Sequence, residues 1–343
     1  MILVTGGGGY IGCVLVRELL ERGETVRVID KLFFGEDPLS EFRDRIDLVE
    51  CDIRSIDTDA FSGVDTVIHL AGLSNDPTAE YNPRANYEIN TIATERLAKL
   101  SKSAGVRRFT FASTCSIYDR GLFAEDVLLD ETAEVSPRAA YAVSNYDAER
   151  IVLQLADESF CPVIFRQGTV FGYSPRMRYD LVVNTFVKDA LSKGRLTVFG
   201  GGEMWRPLVD VSDVAEAHIC GVEASDEKVH GETFNVAYRN YRILELAHWV
   251  KEALSDIRDV DIDVDYTPLK GRSYRVSTAK IESRLGFRAR SPIKDSVVDM
   301  VRRIETHSKN DFMNPAYYNI QWMTHLDRME KTLRRVGSVF GCD

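Results

Sequence analysis

The stretch MILVTGGGGYIG, residues 1–12, decides the fold. ILVTG (2–6) is short and unbroken in its apolarity, as a strand buried on both faces is. Gly6-x-x-Gly9-x-x-Gly12 follows at once, and residues 11–22 carry a helical pattern. Glycines at these places allow a tight turn and a close approach of backbone to a pyrophosphate. The helix behind them offers free N–H groups and the positive end of its dipole. Moving outward, TVRVID (25–30) is the next strand, and it ends in an acid, Asp30. That carboxylate can accept from both hydroxyls of an adenosine ribose and would repel a 2′-phosphate, so the reading is NAD over NADP. Lys31 beside it reads mainly as a solvated charge and is carried as a further cofactor contact.

The alternation continues. IDLVECDI (46–53), DTVIHLAG (65–72), RFTFAST (108–114) and PVIFRQG (162–168) read as buried parallel strands. Between them, 84–104 predicts a long helix with Asn82 as cap and Pro83 in its first position. Residues 141–158 predict another, with Tyr146, Ile151, Val152 and Leu155 on an apolar face. This spacing defines an α/β fold, a doubly wound parallel sheet with helices on both sides.

Bulk properties exclude several classes. The 343 residues are 44% hydrophobic and 28% charged, ordinary for a globular chain. A net charge of −10 gives no support to a nucleic-acid partner. No basic n-region precedes an apolar h-region, and no apolar run approaches the roughly 20 residues of a membrane span, so a cytoplasmic protein without a membrane partner is expected. The six cysteines (13, 51, 115, 161, 220, 342) form no CxxC pair and read as reduced thiols that pack as small apolar groups. No histidines stand at metal-binding spacing, so no metal is expected. His69, at a strand end, reads as structural.

With these residues in hand, the chain resembles the extended short-chain dehydrogenases/reductases, in the group of NAD-dependent sugar-nucleotide epimerases and dehydratases. TGGGGYIG, CDI (51–53), HLAG (69–72), NTIAT (90–94), FASTCSIYD (111–119), RQGTVFG (166–172) and WRPLVDVSDVA (205–215) carry the resemblance over nearly the whole chain. It implies a Rossmann-type NAD-binding domain over 1–171, with a contribution from 207–240. A smaller substrate-binding lobe and a C-terminal helical extension would take 172–206 and 241–343. Gly6, Gly9, Tyr10, Ile11, Gly12, Asp30, Asp52, Ile53, Leu70, Ala71, Gly72 and Asn90 would line the cofactor. Thr114 would hydrogen-bond the sugar hydroxyl being oxidised, and Tyr141 would be the acid/base. Asn184 and Arg206 would hold the nucleotide diphosphate, with Arg272 as a further candidate. Arg176 and Arg178 in SPRMR stand near the lobe entrance, as substrate contacts or as solvated loop residues; Arg178 is carried as the substrate contact. Asn75, in the loop after the fourth strand, would shape the substrate pocket. The substrate implied is a nucleotide-diphosphate sugar, and the helices at 84–104 and 141–158 would pair in a homodimer.

Two letters depart from the family pattern. YAVSNYDAER (141–150) has Asn145 where Tyr-x-x-x-Lys has its lysine. A free tyrosine has a pKa of about 10, and one nearby positive charge lowers a pKa by about 1–3 units. Asn145, one helical turn after Tyr141, can still bond ribose hydroxyls but supplies no charge. Three readings stay open: redox chemistry with a basic residue from elsewhere or the cationic cofactor ring in the lysine's place; chemistry moved to another residue; or a catalytically impaired nucleotide-binding module. The second departure follows Thr114. Family dehydratases have Asp-Glu there, and decarboxylases of the group tend to have Glu at the second position, whereas this chain has Cys115 and Ser116. That leaves a 4-epimerase as the best-fitting activity by elimination, with a reductase or dehydrogenase as alternative. Cys115 is either a small pocket residue or an acid for C3/C5 epimerisation.

In the lobe, 180–193 predicts a helix bearing Asn184, FNVA (234–237) a short strand, and 242–254, 280–287 and 291–305 further helices. Within 308–343, WMTHLDRMEKTLRRV predicts a last helix with Met323, Leu326, Met329 and Leu333 on one side, against the lobe or a partner.

Overall fold

The computed structural model describes residues 1–119, 127–268 and 271–337; Cys342 and the last six residues of the C-terminal extension lie outside it. Seven strands form one sheet in the order Glu232–Val236, Cys161–Gln167, Arg108–Thr114, Thr66–His69, Ile2–Thr5, Val26–Asp30, Asp47–Glu50. Every pairing is parallel. The chain leaves Ile2–Thr5 toward one edge and returns to its other side with Thr66–His69. This is a topological switch point, where the carboxyl ends of open α/β sheets bind ligands.

Both faces are covered. Helices Tyr10–Glu21 and Val211–Glu223 pack Leu15, Leu19, Ala215 and Ile219 on one side with Val4 and Val28. Helices Ala93–Ser103 and Ala140–Gln154 pack Leu97, Ala98, Ala148 and Val152 on the other with Leu3 and Phe109. A separate apolar core serves the lobe, where helices Val182–Lys193, Ile243–Ala253 and Ile293–Thr306 gather around Phe186, Leu246 and Met300.

Three elements differ from their sequence patterns. The third strand pairs only over Asp47–Glu50, because Cys51, Asp52 and Ile53 turn away; Ser55 N donates to Asp52 O at 2.8 Å. The helix expected over 84–104 is capped by Asn82 as read, its Oδ1 accepting from Ala85 N at 3.1 Å. It then opens into a wide five-residue turn, Glu88–Ile92, before continuing as Ala93–Ser103. Asn90 lies in that turn and holds both backbone groups of Leu73, accepting from its N at 2.8 Å and donating to its O at 3.0 Å. Such turns recur at functional sites. Helix Ala140–Gln154 buries Ala142, Asn145, Ala148, Glu149 and Val152 rather than Tyr146 and Ile151, which are half-buried. The sheet meets this helix at small residues and at a buried ion pair, Arg166 Nη2 to Glu149 Oε2 at 2.8 Å.

The last helix, Asn319–Val336, crosses back to the large domain. Trp322 Nε1 donates to Phe33 O at 2.5 Å, and Tyr81 Oη to Asp327 Oδ2 at 2.7 Å. Of its expected apolar side, Met323 faces the large domain, while Met329 and Leu333 are 49% and 46% exposed because the C-terminal half of the helix runs off the surface. No helix among the described residues is long and apolar enough to cross a membrane.

Candidate active site

Two adjoining cavities, about 250 and 130 Å³, lie at the carboxyl ends of the strands. The glycine loop forms their shared wall. Gly6 has φ +76°, and a Cβ there would stand 2.7 Å from Ala71 N; one on Gly12 would stand 2.1 Å from Gly6 O. No side chain fits at either place, so the loop, the first helix and the Leu70–Gly72 turn close against each other only as glycine permits. Gly8 N donates to Asp30 Oδ2 at 2.9 Å and Leu32 N to Oδ1 at 2.8 Å, which fixes the carboxylate at the loop. Burial holds its carboxyl above the usual range.

The smaller cavity gathers Asp30, Lys31, Asp52, Ile53 and Ala71, five residues singled out from sequence. Lys31 is an ion-pair member as well as a cavity residue, its Nζ 2.7 Å from Asp52 Oδ2. Arg54 pairs with the same Asp52 at 2.6 Å, and Arg54 first, then Lys31, holds that carboxyl below its usual range. The larger cavity gathers Gly6, Gly9, Tyr10, Ile11, Gly12, Leu70, Gly72, Asn75, Thr114, Tyr141, Arg178 and Arg272. Chain positions from 6 to 272 thus meet at one opening.

Thr114 ends its strand and caps the turn Cys115–Tyr118, its Oγ1 accepting from Ser116 N at 3.1 Å. That turn decides which neighbour faces the cavity. Ser116 lines it and Cys115 does not; the Cys115 thiol is fully buried, donates to Arg166 O at 3.0 Å, and is pushed up by burial. Cys115 is therefore neither a pocket residue nor placed as an acid at the sugar, which corrects both sequence readings of it.

Burial raises the Tyr141 phenol above its ordinary pKa, and Arg178, Arg272 and a hydrogen bond with Thr114 only partly oppose this. Asn145 Nδ2 donates back to the Tyr141 carbonyl at 2.8 Å and does not reach the phenol. A third cavity of about 50 Å³ separates Asn145, Tyr141 and Asn90.

The arginines divide by environment. Arg178 is 7% exposed, so it is not a solvated loop residue; it is bound through Nε and Nη2 to Asp180 at 3.0 and 3.1 Å and through Nη1 to Ser74 Oγ at 3.1 Å. Arg272 Nη2 stands 2.6 Å from Asp76 Oδ2, while its Nη1 is buried without a hydrogen bond. Arg206 lies one layer back, bound to the carbonyls of Trp205 and Arg272, and does not line either cavity. Asn184 is fully buried and also stands off the cavity. It accepts from Gly172 N at 3.1 Å and donates to Arg178 O at 2.9 Å, so it holds the Arg178 loop. Asn75 sits at φ +77°, caps Asp76–Tyr81 and donates to Asp180 Oδ2 at 3.0 Å. His69 lies between Thr5 and Thr94 hydroxyls at 2.7 and 2.8 Å, structural as expected. No cluster of three metal-ligating side chains occurs among the described residues.

Several lining residues were not singled out from sequence as site residues. Gln167 and Tyr274 reach the larger cavity, Met323 the smaller, and Phe34, Ser74 and Asn319 both. Arg176, which the motif SPRMR left between two roles, lines the larger cavity and is 4% exposed.

A parallel sheet with a glycine loop at its switch point, an acid at the end of the second strand, and a Thr–Tyr pair at the far end of the same cavity defines a dinucleotide-dependent enzyme. The model of the NAD dependent epimerase/dehydratase family matches residues 2–237, and the chain belongs to that family. It is 27% identical over 322 residues to UDP-glucuronic acid decarboxylase 1 of Arabidopsis thaliana, covering 90% of this chain and 71% of the relative. It is 29% identical over 253 residues to UDP-N-acetyl-alpha-D-glucosaminuronate decarboxylase of Bacillus cytotoxicus, covering 71% and 76%. The structure of the UDP-glucose 4-epimerase of Thermotoga maritima with UDP-glucose superposes with a TM-score of 0.78 at 25% identity, covering 90% of this chain and 99% of that one.

Proposed function

We propose that the protein is an NAD-dependent epimerase acting on a nucleotide-diphosphate sugar. The observation that supports this best is the meeting of Thr114 and Tyr141 with the glycine loop around one cavity, which Ser116, where an acid would have to stand, also lines. A dehydratase or decarboxylase of the usual kind needs an acid at that position to move a second proton. Epimerisation needs none. The curated relatives at 27% and 29% identity are named as decarboxylases; Ser116 is the reason for not carrying that activity over.

In this reading Gly6, Gly9, Gly12 and Asp30 would hold NAD, which would supply a reversible hydride acceptor for the hydroxyl-bearing carbon of the sugar. Tyr141 accepts the hydroxyl proton and gives it back, so no proton or electron is gained or lost over a turnover. Thr114 orients the hydroxyl. Asn145 leaves the phenol without its usual cation, and Arg178 is the leading positive influence of the chain on it. Arg178, which lines the same cavity as Tyr141, thus takes part of the lysine's electrostatic role. Arg272 stands ready for the substrate diphosphate, since its Nη1 is buried without a partner. Arg206 and Asn184 act by holding Arg272 and Arg178.

The ultraviolet spectrum of NAD-loaded protein, before and after each of a panel of sugar nucleotides, tests the reading. A reduced-nicotinamide band that rises with one sugar and is accompanied by its epimer supports it. Stoichiometric loss of added NADH would instead identify a reductase. Tight binding of a sugar with no band and no product would leave a binding module.

A further inference from the structure

The two adjoining cavities share Phe34, Ser74 and Asn319 as well as Gly6, Gly9, Leu70 and Gly72 of the glycine-loop wall. On one side lie Asp30 and Asp52, and on the other Thr114 and Tyr141. A dinucleotide laid from Asp30 toward Tyr141 places its two phosphates at this junction, above the N-terminus of helix Tyr10–Glu21, whose cap position, Gly9, makes no side-chain hydrogen bond.

Arg176 stands at the same junction. Its guanidinium lies 3.6 Å from the centre of the Phe34 ring. Nη2 donates to Asn319 Oδ1 at 2.6 Å and Nη1 to Met177 O at 3.3 Å, while Nε is buried with no hydrogen bond. The residue is 4% exposed, and among the described residues no carboxylate bonds it in the way Asp180 bonds Arg178; Asp180 acts on it only through space. A buried guanidinium without a counter-anion is costly, and the fold retains such a charge only where something else supplies the anion. Burial first, and Arg178 next, lowers its pKa to about 9, so it stays charged at neutral pH.

We propose that Arg176 is the counter-charge for a diphosphate bound across the junction, aimed by Phe34 beneath it and by Asn319 at the head of the C-terminal helix. The helix Asn319–Val336 is then a clamp on this site, pinned by Trp322 to the Phe33 carbonyl. The proposal rests on the dinucleotide reading of the fold and not on which sugar is turned over. Two ligands of that reading carry a diphosphate. The glycine loop and the flanking Asp30 pocket favour the cofactor's, since the sugar nucleotide has no reason to extend toward Asp30.

Calorimetric titration of NAD, and separately of UDP, into the full chain and into Arg176→Met, Arg176→Lys and Asn319→Ala tests it. Loss of a charge-assisted bond to phosphate is worth roughly 10–100-fold in affinity. Arg176→Met is expected to lose about that much for NAD, with UDP unchanged, and Arg176→Lys to recover part of it. Asn319→Ala is expected to weaken NAD about threefold to tenfold, within the range of one hydrogen bond. Melting without ligand supplies a readout that a structural role would move the other way. Arg176→Met melts at or above the parent, because a buried unpaired charge has been removed, while its stabilisation by NAD shrinks. Unchanged NAD affinity in both Arg176→Met and Asn319→Ala overturns the proposal, as does a fall in ligand-free melting with an unaltered NAD effect. A fall in UDP affinity alone moves the contact to the sugar nucleotide and overturns the assignment to the cofactor. If Arg176→Met does not fold, Arg176→Lys and Asn319→Ala decide by the same readings. Failure of the epimerase reading would appear as no turnover with NAD binding intact.

Discussion

Tyr141 carries the chemistry in the proposed function, and its surroundings make the site unusual. Burial leaves the phenol above its ordinary pKa, with Arg178 and Arg272 in partial opposition. Turnover that needs the phenolate should therefore climb with pH through the alkaline range. Asn145→Lys places a cation one helical turn away and should move the profile of kcat to lower pH by about 1–3 units. A pH–rate profile of the variant checks this, and an unmoved profile would show that Tyr141 is not the titrating base. Cys115→Ser should cost stability and leave kcat and KM near those of the parent, since the thiol faces the Arg166 carbonyl and not the sugar. A large fall in kcat with intact folding would return Cys115 to the site.

At the scale of elements, the glycine loop is the most constrained part of the molecule. Gly12→Ala drives a methyl group into the Gly6 carbonyl, a contact of 2.1 Å that only backbone movement relieves. The first helix would shift off the sheet, and NAD binding should be lost, as tryptophan quenching or calorimetry would show. This part of the fold was legible in the sequence. Strand, glycines and helix are local, and each position has one physical reason for its residue. The ends of elements were less so. CDI continues the apolar run of the third strand, yet Asp52 bonds Arg54 and turns the chain. The apolar stripe of the last helix was visible, but a stripe says only that something covers it. Only its first residue, Met323, meets the cavity beside Phe33 and Phe34, and the neighbouring Trp322 is tied to the Phe33 carbonyl, 289 residues away along the chain. The same distance problem hid the setting of Arg176, whose partner Asn319 lies 143 residues on. Asn184 and Arg206 were read as substrate contacts because the family motif points there; the side chains instead spend their hydrogen bonds on the loops that carry Arg178 and Arg272.

The whole molecule has a pH-dependent weakness built into both faces of its sheet. His69 and His218 are fully buried, and burial lowers each pKa to about 3 from 6.5. Between those values the unfolded chain binds protons that the native one refuses. Stability is therefore present above pH ~6.5 and is lost as pH falls toward the folded value, by at most about 1.4 kcal/mol per pH unit for each histidine. Thermal unfolding followed between pH 7 and pH 5 should show a falling midpoint, and His218→Gln should flatten part of the slope. A midpoint independent of pH would contradict the buried neutral rings. A homodimer is the remaining whole-molecule proposal. Ile92 and Tyr87, 51% and 41% exposed on the segment Pro83–Ser103, offer apolar surface for it. Light scattering of the purified chain, and of Ile92→Glu, would show a dimer and its loss, or a monomer in both.

The cavity of about 50 Å³ between Asn145, Tyr141 and Asn90 makes the site open to dosing from solution. It exceeds the space one water needs, roughly 10–15 Å³ on the same measure, and Tyr141, the base of the proposed function, is among the residues that line it. Methylammonium brings the missing charge on a body of two heavy atoms. Turnover should then rise with its concentration and saturate, while tetramethylammonium, the same charge on a bulk the cavity excludes, should do nothing. In the proposed function, Asn145 would turn a built-in catalytic charge into a soluble reagent, and the dose–response curve would measure how much of the rate that one charge supplies.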